Sequence, residues 1–155
     1  MSYRVIGLDP SPFRHLYHLS DEALATHNAR RYIVDRTPGF PDRVELRDLQ
    51  PGETALLLNY VHQPGDSPYR ASHAIFVREG AERAAETVGR LPEVMQHRPL
   101  SLRAFDTAHM MVDATLVSGA DAEGPILALL DDPRVSYVQA HYAVRGCYAA
   151  RIERA

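Results

Sequence analysis

The stretch Thr54-Ala55-Leu56-Leu57-Leu58-Asn59-Tyr60-Val61-His62 is followed by a loop, Gln63 to Arg70, and then by a second apolar run from Ala71 to Glu79. Ala55 to Leu58 is apolar at every position, so an extended chain there would be covered on both faces, as in the middle of a sheet. The second run reads as its partner strand. The loop between them is shorter than the dozen or more residues a parallel crossover requires, so the pair is antiparallel.

Working outward, Tyr3 to Leu8 and Arg30 to Asp35 read as strands, and Val44 and Leu46 alternate with Arg43, Glu45 and Arg47 as in a half-buried strand. Leu100, Leu102 and Ala104 alternate with Ser101 and Arg103. A further strand puts Met110, Val112, Ala114 and Leu116 on one face and His109, Asp113 and Thr115 on the other. Val135 to Val144 and Cys147 to Glu153 form a hairpin over Arg145-Gly146. Short helices are expected after Ser11 and after the N-cap Ser20 up to Asn28, and at Ile126 to Leu130. Another is expected where Ala81, Ala84, Ala85 and Val88 recur at helical spacing. The fold class is α+β: a single domain over residues 1–155 with a largely antiparallel β-sheet, open or barrel-like, and a few short helices.

Composition fits that class. The chain has 155 residues, 45% of them hydrophobic and 24% charged, which excludes a disordered chain and suffices for one core. A single cysteine excludes a disulfide framework and a Cys-rich zinc module. A net charge of −3 leaves no electrostatic footprint for nucleic acid. No apolar run reaches the roughly 18 residues of a membrane helix, and the N-terminus has no signal-peptide core, so a soluble, cytoplasmic protein is expected.

All 17 basic residues are arginine. A GC-rich genome explains that count as a whole, so each arginine has to be argued from its surroundings. Phosphate-binding glycine loops, dinucleotide fingerprints, zinc-protease motifs and nucleophile elbows are all missing from the sequence. Polar chemistry concentrates in two places. In the loop between the first two strands, Arg70 offers a bidentate fork for a carboxylate or phosphate. Around it, His62 and His73 titrate near neutrality, Tyr69 can orient a ligand, and Ser72 stands beside them. In the hairpin, His141, Arg145 and Cys147 flank the Gly146 turn. Cys147 shares a strand face with Ala149 and reads as a small buried hydrophobe. His141 shares a face with Tyr137 and Gln139 that reads as solvent-facing, and the arginines other than Arg70 and Arg145 are mostly assigned to the surface. His62, His73, His109, Asp113 and His141 all fall on expected strands but show no metal-ligand spacing, so no metal site is assigned.

Four stretches carry a family resemblance: Gly7-Leu8-Asp9-Pro10, Pro38-Gly39-Phe40-Pro41-Asp42-Arg43-Val44, Leu56-Leu57-Leu58-Asn59-Tyr60 through Ser67-Pro68-Tyr69-Arg70-Ala71-Ser72, and His141-Tyr142-Ala143-Val144-Arg145-Gly146-Cys147-Tyr148. Together they resemble the bacterial domain of unknown function family 1203 over nearly the whole chain. The resemblance implies that the position after Pro-Gly-Phe-Pro is often Cys; here it is Asp42, so a paired-thiol chemistry at that position is closed to this member. It implies a single-domain bacterial protein and no particular reaction.

The leading functional expectation is a small-molecule-binding domain for an anionic metabolite, with a pocket joining the 62–73 loop to the 141–148 hairpin. Its candidate residues are His62, Tyr69, Arg70, Ser72, His73, His141, Arg145 and Cys147. Two other readings stand beside it. One is a metal-dependent or cofactor-free enzyme using His62, His73 or His141; the other is a non-catalytic interaction protein, as a homodimer built on tyrosines and apolar strands. Cofactors are unassigned.

Overall fold

A computed structural model describes all 155 residues. Nine strands fall into two open, antiparallel sheets, with short helices between them, and the fold is α+β. The strands are β1 (Tyr3–Ile6), β2 (Arg30–Ile33), β3 (Thr54–Gln63), β4 (Ala71–Arg78), β5 (Glu86–Val88), β6 (Pro99–Phe105), β7 (Met111–Ser118), β8 (Tyr137–Tyr142) and β9 (Cys147–Arg154). The α-helices are α1 (Asp21–Thr26), α2 (Glu93–Gln96) and α3 (Glu123–Asp131). None is long and apolar enough to cross a membrane.

The chain gathers into two compact units. The first comprises Met1–Ile6, Val61–His73 and Glu86–Ala155. Its six-stranded sheet runs in the order β5-β1-β9-β8-β6-β7. Leu100, Leu102 and Ala104 of β6 lie on the same face as Val138 and Ala140 of β8 and Ala150 and Ile152 of β9, and all are buried. The apolar side of α3, with Ile126 and Leu130, packs on β6 and β8. Gly146 turns the β8–β9 hairpin with φ +81°, a conformation that costs a glycine little, and its N–H donates to the Tyr142 carbonyl.

The second unit comprises Gly7–Tyr60 and Ala74–Ala85. Here β3 is the central strand between β2 and β4, as its apolar run requires. Val34, Phe40, Leu49 and Ala55 form its core with Phe76 against them. Ser20 caps α1 by accepting the Ala23 N–H at 3.1 Å, and Asn28 ends that helix in the left-handed region at φ +55°.

Two expected elements are replaced. No strand forms at 43–47. Val44 and Leu46 are buried as their alternation suggests, but so is Arg43, and Leu46 sits at φ +53°, which no strand tolerates. A buried carboxylate shapes this loop instead: Asp42 accepts the Glu45 N–H at 2.6 Å and the Arg78 N–H at 2.7 Å. Burial pushes its carboxyl up from the usual range. The position where the family resemblance implies a thiol therefore holds a structural acceptor.

The helix expected from Ala81 to Val88 is also missing. A stripe of three alanines offers little area to bury, and Ala84 is exposed. Extended backbone pairing wins there: Ala85 donates to Val44 and accepts from Gly7, and β5 pairs with β1.

Candidate functional site

The site lies within the first unit, on the face of the six-stranded sheet opposite α3. Register puts Gln139 of β8 beside Arg103 of β6 and Arg151 of β9, and His141 beside Ser101 and Tyr148. The expectation that Tyr137, Gln139 and His141 face solvent is therefore corrected: they are 4%, 4% and 0% exposed. The cover comes from the 61–73 segment, whose polar side chains replace the water such a face would otherwise need.

Gln139 organises the centre. Its Nε2 donates to the backbone carbonyl of His62 at 2.8 Å, which turns its Oε1 toward both imidazoles. That oxygen lies 3.0 Å from His62 Nδ1 and 3.0 Å from His141 Nε2. The His62 contact is a hydrogen bond only if Nδ1 carries the proton, so the neutral ring keeps a bare lone pair on Nε2. No protein group bonds to that nitrogen. The rings meet edge to face at 4.8 Å, and Tyr148 stacks on His62 at 5.8 Å.

Below this runs a second chain of bonds. The Gly65 N–H donates to Gln63 Oε1, Gln63 Nε2 donates to Tyr137 Oη at 2.8 Å, and the Tyr137 hydroxyl is hydrogen-bonded to His109 Nδ1 at 2.8 Å. Phe105 and the Arg151 guanidinium cover the two sides of the Tyr137 ring. Replacing Tyr137 by Phe strands the buried Gln63 amide and the His109 nitrogen, and should cost about 2 kcal/mol in urea unfolding. An unchanged midpoint would mean that the chain of bonds adds no stability.

Electrostatics separates the members. Burial lowers the pKa of His62, and both Arg103 and His73 add to that effect. His141 is driven to about 3, first by burial and then by Arg103, with His62 and His73 contributing. Both histidines are thus neutral at pH 7. Arg103 is half-buried, and burial lowers its pKa with no carboxylate opposing the shift. Its one protein contact is Nε to Ser101 Oγ at 3.1 Å, which leaves four of a guanidinium's N–H donors without a protein acceptor.

A stability consequence follows for His141, whose folded pKa lies below its unfolded value of about 6.5. The unfolded chain binds the proton first as pH falls, so stability is full above that value and declines below it. Between pH 7 and pH 5 the loss should be about 2 kcal/mol. Glu53 and Asp132, held at about 2 by arginine partners, contribute only at lower pH, below the unfolded carboxylate range. Urea unfolding at the two pH values checks this, and a flat response would remove His141 as the cause.

The sequence candidates are distributed unevenly. His62 and His141 meet edge to face here, and His73 acts electrostatically on both. Arg70 is exposed, with Nη1 on the Pro64 carbonyl at 2.5 Å, where it stitches the loop. Tyr69, 39% exposed, sets its edge against Phe105, and Ser72 is exposed at the start of β4. Arg145 projects from the hairpin turn and Cys147 is buried as a small hydrophobe. His109 is not on a strand but in a turn at φ +61°. No three of the chain's His, Cys, Asp and Glu side chains group as a metal site.

Sequence reasoning missed Arg103, Gln139, Tyr137, Gln63 and Tyr148 as site members. Gln139 between Val138 and Ala140 was the available signal: a polar residue inside a strand that is otherwise buried on both faces.

An α+β domain whose central sheet buries a histidine–glutamine cluster beside an unpaired arginine is the class this geometry defines. A model of the family described as protein of unknown function (DUF1203) matches residues 39–154, and the chain belongs to that family. Neither the curated proteins nor the solved structures contain a match to the chain.

Proposed function

We propose that the protein binds a small anionic molecule through the polar face of its six-stranded sheet, with Arg103 as the anion's partner. The observation that carries this reading is the half-buried Arg103 guanidinium with no carboxylate beside it. A desolvated cation is unfavourable unless it is paired. An anion supplies that pairing, and the fork suits a carboxylate or phosphate better than a point charge would. Arg103 acts electrostatically on His62 and His141, and His73 acts on the same two rings. Arg70 and Arg145 are exposed and fit the surrounding surface rather than the anion seat.

Thermal denaturation in phosphate, sulfate, and mono- and dicarboxylates, each against chloride of equal ionic strength, tests the proposal. A saturable rise in Tm with at least one of them is expected. If none exceeds its chloride control, the reading fails.

A cofactor-free acid–base reaction on such an anion is the second reading, favoured by the locked tautomer of His62. Under it, His62→Gln abolishes turnover of any substrate found. Turnover that survives would exclude His62 as the base.

A further inference from the structure

We infer that an anion seated against Arg103 enters together with one proton, taken up by the His62–His141 pair. The inference rests on the anion site proposed above and adds how that site is charged when filled. Three ring nitrogens face carbonyl oxygens in this cluster: His62 Nδ1 and His141 Nε2 toward Gln139 Oε1, and His141 Nδ1 toward the Gly146 carbonyl at 3.1 Å. Two neutral imidazoles carry only two ring protons. One of the three contacts therefore lacks its proton whichever tautomers are chosen.

Reorienting the amide does not help. Turning Gln139 over would point its oxygen at the His62 carbonyl, to which its Nε2 now donates. The fourth nitrogen, His62 Nε2, carries a lone pair with no protein donor, on a ring that Arg103 acts on electrostatically. A single added proton mends one of these defects, and proton exchange between the coupled rings lets the pair share the gain.

What holds the proton out of the empty site is charge and burial. Besides burial, the groups that act on the two rings are Gln139 from β8 and the Gly146 carbonyl from the β8–β9 turn, which favour the proton, and Arg103 from β6, His73 from β4 and the rings themselves, which oppose it; no carboxylate is among them. Tyr148 of β9 sets its ring face on His62 and meets His141 edge to face. An anion on Arg103 cancels the guanidinium charge that acts on both rings, and the unfilled acceptors then work against burial and His73 alone. The filled site then holds the anion, the guanidinium and one imidazolium.

Sulfate is the probe, because it does not titrate near neutrality. Calorimetry of sulfate binding to the whole chain at pH 7.5, in two buffers of different ionisation enthalpy, counts the protons taken up. About one proton per sulfate is expected, with affinity falling about tenfold from pH 7.5 to 8.5. Long-range nitrogen–proton spectra of the histidine rings should place the proton on His62 and His141. Binding without proton uptake, or uptake on His73, overturns this inference and leaves the anion site standing. Binding of no sulfate, phosphate or carboxylate overturns the anion site itself.

Discussion

Gln139→Leu should destabilise the protein by about 3–5 kcal/mol, the largest effect of any single substitution considered for the polar face. The side chain is 4% exposed and serves three partners: it donates to the His62 carbonyl and faces ring nitrogens of His62 and His141. Leucine matches its volume and leaves the His62 carbonyl and His62 Nδ1 without a partner, each at a cost of about 1–3 kcal/mol, while the His141 ring keeps the Gly146 carbonyl. Packing alone would forecast a near-neutral change, since leucine matches the volume of the buried amide. Gln139→Glu separates the two accounts. A carboxylate still accepts from both imidazoles and raises their pKa values, but cannot donate to the His62 carbonyl. It should lose less stability than leucine and shift both histidine titrations upward. Denaturant unfolding of the two variants decides, and equal small losses would show that the network contributes little.

Arg103→Met should lower anion affinity about 10- to 100-fold, the loss of a charge-assisted contact worth about 1.5–3 kcal/mol. The same variant should unfold no more easily than the wild type. Methionine keeps most of the apolar stem, and what it removes is a desolvated charge whose one protein contact is Ser101 Oγ. A surface arginine would give neither result, and a structural arginine would give the opposite one on stability. Arg103→Lys should fall between: it keeps the charge and loses the fork. Loss of stability in Arg103→Met without loss of binding would assign Arg103 to the scaffold.

How far the sequence could be read follows from what each inference used. The central strand β3, its partner β4, the β8–β9 hairpin and the cap at Ser20 were legible because local chemistry determines them: an unbroken apolar run, a glycine at a tight turn, a hydroxyl ahead of a helix. The loop at 43–47 was misread because Val44 and Leu46 alternate correctly while the backbone is bent by Asp42, a partner whose role shows only in three dimensions. The alanine stripe at 81–85 had helical spacing but too little side chain to hold a helix against strand pairing.

The site was half legible. His62, His73 and His141 stood out as histidines; the rings of His62 and His141 meet, and His73 acts on both electrostatically. Their number said nothing of Gln139, and strand alternation assigned the Tyr137–His141 face to water. That rule holds for a sheet with one solvated face, and here the 61–73 segment covers the second one. Arg103 looked like any other polar residue on an alternating strand. Its significance is a missing partner, which a sequence does not display. The arginine forks singled out beforehand, Arg70 and Arg145, sit beside turns because turns need polar residues, and both are exposed.

The most direct test of the account combines the guanidinium and histidine side-chain resonances of the wild-type protein in one titration with an anion that raises its Tm. Before addition, His62 should carry its proton on Nδ1 and none on Nε2. During addition, the Arg103 Nε–H and the His62 ring nitrogens should move together and give one Kd, while Arg70 and Arg145 stay in place. A His62 ring protonated on Nε2 at the start, or an anion that shifts Arg70 or Arg145 and leaves Arg103 unmoved, would contradict it.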